Sequence, residues 1–298
     1  MKTNRAKKFV QENARPLELA IYDYFFEQGT KSKVIEELAK YQNLDGGFGH
    51  GLEADNWNPN SNPIATNDAI ITLYKTDALD EAGEMVQGIV RHLRSKDSFD
   101  NVKKKWLFSI DSNKDHPHAI WWEKRADSDG ISGFNPTVSL AAFMICYGDD
   151  KQFYEDILKS AFEYLKENDE VSGDELKCFM LSYELLRKKE IDNIVNLDEM
   201  KSIIIRRIEN AICKEPEKYG VEYVTAPSDF FFGIYNGFIT DEIEKLIDVE
   251  KSVLERIQKE DGGFDISWQW YTEYSEFEQA RKWWRPRITI EKLLFFNN

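Results

Sequence analysis

The chain has 298 residues, of which 42% are hydrophobic and 13% aromatic, enough material for a large buried core. A net charge of -15 and a pI near 4.9 set it against the phosphate backbone of nucleic acid and the anionic face of a membrane, so neither is an expected partner. Three cysteines (Cys146, Cys178, Cys213) without CxxC spacing make no paired framework. They read as reduced residues in apolar helical stretches of a cytoplasmic protein. The opening "MKTNRAKKFVQENARPLELA" has no uninterrupted apolar run of signal-peptide length, and no later segment is long enough for a membrane span.

In chain order, apolar residues recur every three or four positions in "PLELAIYDYFFEQG", "KSKVIEELAKYQN", "ATNDAIITLYKT" and "LDEAGEMVQGIVRHLRS". The pattern continues through "PTVSLAAFMICYG", "KQFYEDILKSAFEYLKE", "GDELKCFMLSYELLRKK", "LDEMKSIIIRRIENAIC" and "TDEIEKLIDVEKSVLERIQ". No comparable strand alternation competes, which predicts an all-α fold. "PTVSLAAFMICYG" is apolar nearly all round, whereas "KQFYEDILKSAFEYLKE" is charged on one side, so buried and surface helices are expected in two layers. No Pro/Ser-rich linker divides the chain, which favours a single domain over 1–298.

A repeat is the most specific signal. "YQNLDGGF" (Tyr41–Phe48) returns as "IQKEDGGF" (Ile257–Phe264), with "DSDGISGF" (Asp127–Phe134) as a degenerate third copy. Glycine permits the positive φ of a corner after a helix, the aromatic buries itself to fix the exit angle, and the glutamine is placed to cap the helix end. Asn62-Pro63 and Asn135-Pro136 each open the next helical segment, Asn suiting the cap and Pro the first turn.

Q-x-x-D-G-G-F at Gln42–Phe48 and Gln258–Phe264 resembles the repeat shared by protein prenyltransferase β-subunits and squalene or terpene cyclases. The resemblance implies an (α/α)6 toroid of inner and outer helices, with a small-molecule ligand, an isoprenoid or another largely apolar compound, in a central cavity. It covers two short windows strongly and the remaining helical spacing loosely. The chain departs from the family's chemistry: it has no D-x-D-D run, no D-D-x-x-D run, and its four histidines (His50, His92, His116, His118) all precede Cys146, unlike the protein prenyltransferase zinc site. A zinc site of that type is therefore not expected, and fold alone does not assign a reaction.

Local residues supply the candidates. On the loop after the first corner, Glu53 and Asp55 suit an acid/base pair or an oxygen-rich divalent-cation site, with His50 as proton shuttle; equally, they suit capping and helix-terminus neutralisation. In "DHPHAIWWEKR" (Asp115–Arg125), His116 and His118 lack a third ligand nearby, and Trp121 and Trp122 form either a partly exposed aromatic wall or plain core. In Asp261–Ile290, Trp268 and Trp270 are candidate walls. Arg287, at an expected helix start, calls for a carboxylate or an anionic ligand beside it. Three functions remain open: an enzyme acting on an apolar ligand, a carbohydrate-active hydrolase or lyase using paired carboxylates, and a non-catalytic protein- or peptide-binding toroid. The sequence does not fix the oligomeric state.

Overall fold

The computed structural model describes residues 1–297. It is 58% helix, and its only sheet is a hairpin of two-residue strands, β1 (Phe99–Asp100) and β2 (Lys105–Trp106). The all-α expectation holds. The helices are α1 (Thr3–Asn13), α2 (Pro16–Phe26), α3 (Lys31–Leu38), α4 (Pro63–Lys75), α5 (Gly83–Ser95), α6 (Thr137–Tyr147), α7 (Lys151–Glu167), α8 (Gly173–Lys188), α9 (Leu197–Ala211), α10 (Asp241–Ile257) and α11 (Phe277–Phe296). None is long and apolar enough to cross a membrane among the described residues.

The chain forms two compact units, one of residues 1–40, 72–82 and 212–298, the other of 41–71 and 83–211. In the second, α6 is buried at every position from Thr137 to Ile145, and α8 is buried over most of its length. By contrast, α7 and α9 bury only a stripe, Tyr154, Ile157, Leu158, Ala161, Phe162 and Leu165 in α7. This is the alternation of inner and outer helices that the differing polarity of these segments predicts. Arg207 of α9, buried, donates to the carbonyls of Leu165 and Lys166 and pairs with Asp169, so a cation closes the C-terminal end of α7 where carbonyls lack partners.

Each unit contains one copy of the repeated corner, and the two copies agree atom for atom. Gly46 and Gly262 both have φ of +96°, a left-handed conformation that favours glycine. The carboxylates of Asp45 and Asp261 accept the amides of Gly47 and Gly263 at 2.9 and 3.0 Å. The buried rings of Phe48 and Phe264 follow, and their amides donate to the hydroxyls of Thr66 in α4 and Thr289 in α11 at 3.2 and 3.0 Å. Each hydroxyl in turn donates to the carbonyl four residues earlier, Asn62 or Arg285. One side-chain network thus locks a turn onto the helix that follows it.

The glutamines do more than the capping expected of them. Gln42 donates to Gly46 O at 3.0 Å and to Met85 O in α5 at 3.1 Å; Gln258 donates to Gly262 O at 2.8 Å and to Lys2 O, beside α1, at 3.3 Å. They tie the turn to a neighbouring helix rather than to the end of the preceding one. The approach is close: a Cβ on Gly46 would lie 2.0 Å from Gly88 O, and one on Gly262 2.4 Å from Arg5 O. In this register α1 meets the second corner as α5 meets the first, with Lys2, Arg5 and Phe9 standing where Met85, Gly88 and His92 stand.

Three expectations need correction. The third copy is not a corner of this kind: the Phe134 amide donates to the buried Glu175 carboxylate at 2.5 Å, and the positive φ falls at Gly130 and Gly133. Asn62 caps α4 through the Ala65 amide at 2.8 Å, but Asn135 caps nothing in α6, accepting instead from the Cys178 thiol. Cys213 lies beyond the end of α9 rather than inside a helix. Burial pushes the Cys146 and Cys178 thiols up to about 12, as expected of inert thiols.

Gly46→Ala and Gly262→Ala should each destabilise the protein by about 2 kcal/mol or more, because the new Cβ meets a backbone carbonyl at a positive φ. Thr66→Val and Thr289→Val should each cost about 1–3 kcal/mol, since a buried phenylalanine amide loses its acceptor. Urea unfolding of the four variants measures both effects.

Candidate functional site

The two corners provide an internal control: what they share serves the turn, and what differs is free to serve something else. At the second corner, Asp261 is taken up by Arg285, whose guanidinium reaches it at 2.8 Å and lies 4.7 Å over the Phe9 ring. Counted back from the threonine, Trp283 and Trp284 precede Arg285. At the first corner the same count gives Asn60, Ser61 and Asn62, and His92 stands in place of Phe9. Small polar groups replace two indoles and a guanidinium.

Beside the first corner lies a cleft of about 550 Å³ lined by Asn43, Asp45, Asn60, Ser61, Asp97, Ser98, Leu107, Ile110, Asp111 and Ser112. Three carboxylates, two amides and three hydroxyls face two aliphatic side chains, and no cationic residue is among the lining. Asp45 Oδ1 accepts both the Gly47 amide and the Ser61 hydroxyl, the latter at 2.7 Å, while Oδ2 lies 3.4 Å from His92 Nδ1. Asn43 donates to Ser61 Oγ at 3.0 Å and Pro59 O at 2.9 Å, and its Oδ1 lies 2.8 Å from His50 Nε2. His92 is 3% exposed, and burial pushes its imidazole below the ordinary value while the Asp45 and Asp97 carboxylates pull it back.

The far wall is knitted to the corner by asparagine. Asn58 donates to Ser112 Oγ at 2.8 Å and Asn113 Oδ1 at 2.9 Å, Asn56 donates to the same Asn113 oxygen, and Asn113 donates to Trp122 O. Backbone pairing continues it, with Trp57 N–H on Pro117 O and Ala119 N–H on Asp55 O. The two loops singled out in the sequence, His50–Asp55 and Asp115–Arg125, are therefore neighbours.

The structure sorts the individual candidates. His50 is exposed, holds φ of +56° and touches the cleft through Asn43. Glu53 is half-buried and accepts the Asp55 amide at 3.3 Å; Asp55 is 2% exposed; both stand outside the residues that line the cleft. His118 is buried with Nδ1 2.7 Å from His116 O. Among the described residues no group of three or more His, Cys, Asp or Glu side chains is arranged to hold a metal ion. The partial exposure expected at Trp122 is corrected: it is buried and stacked on Phe108 at 4.7 Å, while Trp121 is half-buried.

Trp268, Trp270 and Arg287 belong to the other unit. Trp270 is 1% exposed, a core residue against Phe277; Trp268 is half-buried, edge-on to Trp284 at 5.2 Å. Arg287 is not at a helix start, since α11 begins ten positions earlier and runs through Pro286. It lies 4.9 Å over the Trp284 ring, with Glu291 at 3.7 Å as the carboxylate beside it.

Sequence reasoning missed Asp97, Asp111 and His92. The Asp-Ser pairs at 97–98 and 111–112 were the available signal, two equal polar dipeptides flanking a short hairpin. No protein-family model matches the chain, and no curated protein and no solved structure matches it.

In the interval between His92's depressed folded value and its unfolded value near 6.5, the unfolded state binds more protons. Its contribution to stability is therefore complete above that range and lost as pH falls through it. His92→Phe, which copies the second corner, should remove this slope and stay within about 1 kcal/mol of the parent at pH 7.5. Urea midpoints from pH 5 to 8 for both proteins check it.

Proposed function

We propose that the protein is a carbohydrate-active member of the α/α barrel class, cleaving or otherwise processing a glycosidic bond in the cleft at the first corner. One observation carries this: the corner whose structural twin pairs its aspartate with an arginine here borders a cleft lined by three aspartates, amides and hydroxyls. Such a lining hydrogen-bonds a hydroxyl-rich ligand, and glycosidic cleavage requires two carboxylates facing one cleft. Asp45, Asp97 and Asp111 supply the candidates. Asp45 is the best held of them, its Oδ1 fixed by an amide and a hydroxyl.

The (α/α)6 toroid is part of the same reading. It is supported by the inner and outer character of α6 to α9, and by α1 meeting the second corner as α5 meets the first, which is what a cyclic order of helices requires. The resemblance of the repeat to that of the prenyltransferase and cyclase superfamily is in keeping with that architecture. A second reading, an apolar or isoprenoid ligand, draws on the rings of Tyr223, Trp268 and Trp284, which meet edge to face in the other unit, with Arg287 on Trp284 to hold a polar end.

A panel of mono- and disaccharides in thermal-shift assays, with fluorogenic glycosides for turnover, tests the proposal. At least one sugar should raise the melting temperature. Asp45→Asn should lower kcat/KM about 100-fold or more, and Asp261→Asn, at the equivalent position of the second corner, should leave it within a few-fold. Stabilisation by a prenyl alcohol and by no sugar would transfer support to the second reading.

A further inference from the structure

The register of the two corners isolates one substitution that the turn does not need. Phe9 and His92 fill the same place: a Cβ on Gly263 would meet the Phe9 ring at 2.6 Å, and one on Gly47 would meet His92 Nε2 at 2.7 Å. A phenyl ring satisfies that position completely, as the second corner demonstrates. An imbedded imidazole adds two polar nitrogens that must be desolvated, and burial of a polar group without a partner is costly. The imidazole's Nδ1 faces Asp45 Oδ2 at 3.4 Å, on the opposite carboxylate oxygen from the one held by the Gly47 amide and Ser61.

We propose that His92 is a positioning residue for Asp45, holding Oδ2 from inside the protein so that the cleft receives the carboxylate in a single orientation. Three contacts then fix the side chain, although it is half-exposed and would otherwise exchange rotamers: the Gly47 amide, the Ser61 hydroxyl and the His92 ring. In the second corner the corresponding orienting group is Arg285, whose Nη2 reaches both oxygens of Asp261, at 3.0 and 2.8 Å. A guanidinium would neutralise the carboxylate and occupy the cleft. A neutral imidazole orients it from behind and leaves its charge available, which a catalytic or ligand-binding carboxylate requires.

The charged groups facing His92 are Asp45 from the corner and Asp97 from the turn after α5, and Gly47 lies against its Nε2. Protonation of His92 would convert the orienting contact into an ion pair and partly cancel the charge that Asp45 presents. The site would then weaken below the His92 titration, in addition to any titration of its own carboxylates.

The inference rests on the cleft reading only for the use made of Asp45, and its test needs no ligand. With four histidines in the chain, imidazole NMR resolves His92, and three-bond couplings in aspartate-labelled protein report the Asp45 χ1. Parent protein and His92→Asn, whose amide nitrogen replaces Nδ1, should hold Asp45 in one rotamer. His92→Phe and His92→Leu should let it average over two or more, and Asp45→Asn should move the His92 titration midpoint downward. One rotamer retained in both apolar variants, or an unmoved midpoint in Asp45→Asn, overturns the inference. If these results hold and no saccharide binds, the cleft reading fails and the role of His92 stands.

Discussion

The hydrogen bond from a buried phenylalanine amide to a threonine hydroxyl one helix later is the constraint on which the architecture depends. It joins three things that would otherwise be independent: a glycine turn at φ +96°, the aromatic ring that ends it, and the helix that follows, near the start of α4 and midway along α11. The threonine is itself held by the carbonyl four residues back, so the angle between corner and helix has little freedom. Glutamine then carries the turn across to a further helix, at Met85 in one unit and Lys2 in the other. Because the turn is held by its own backbone, aspartate, glutamine and threonine bonds, the flanking side chains can vary without loss of the fold.

That freedom has been used differently at the two corners. At the second, Arg285 pairs with Asp261 and Arg281 with Asp265, giving a structural joint of ion pairs. At the first, Ser61, Asn60 and His92 leave Asp45 accessible on one side and anchored on the other. Asparagine dominates the surroundings because its amide both donates and accepts, which lets Asn56, Asn58 and Asn113 bind one another and two backbone segments without introducing charge.

How much of this the sequence made legible follows from the range of each interaction. The corners were readable because Asp, Gly-Gly and Phe act within four residues of one another, and helix existence was readable because the apolar stripes are periodic. All of α1 and the first half of α11 were not, since "TNRAKKFVQEN" is strongly polar and "FEQARKWWRPR" contains a proline that reads as a boundary, although the helix continues through it. Glu53 and Asp55 attracted notice as carboxylates close in sequence, yet the cleft draws its carboxylates from positions 45, 97 and 111, the last carried on a segment tied to the corner by long-range asparagine bonds. The equivalence of His92 and Phe9 was invisible, because it is a relation between α5 and α1 that only the shared approach to a corner establishes.

In the proposed function, the first corner is the same joint as the second, opened to admit a hydroxyl-rich ligand. Crystallographic fragment screening with a mixed library of small saccharides and short prenyl alcohols tests it most directly. Saccharide density is expected against Asn43, Asp45, Asn60, Asp97 or Asp111. An empty cleft, with prenyl density on the Tyr223, Trp268 and Trp284 rings, would contradict it.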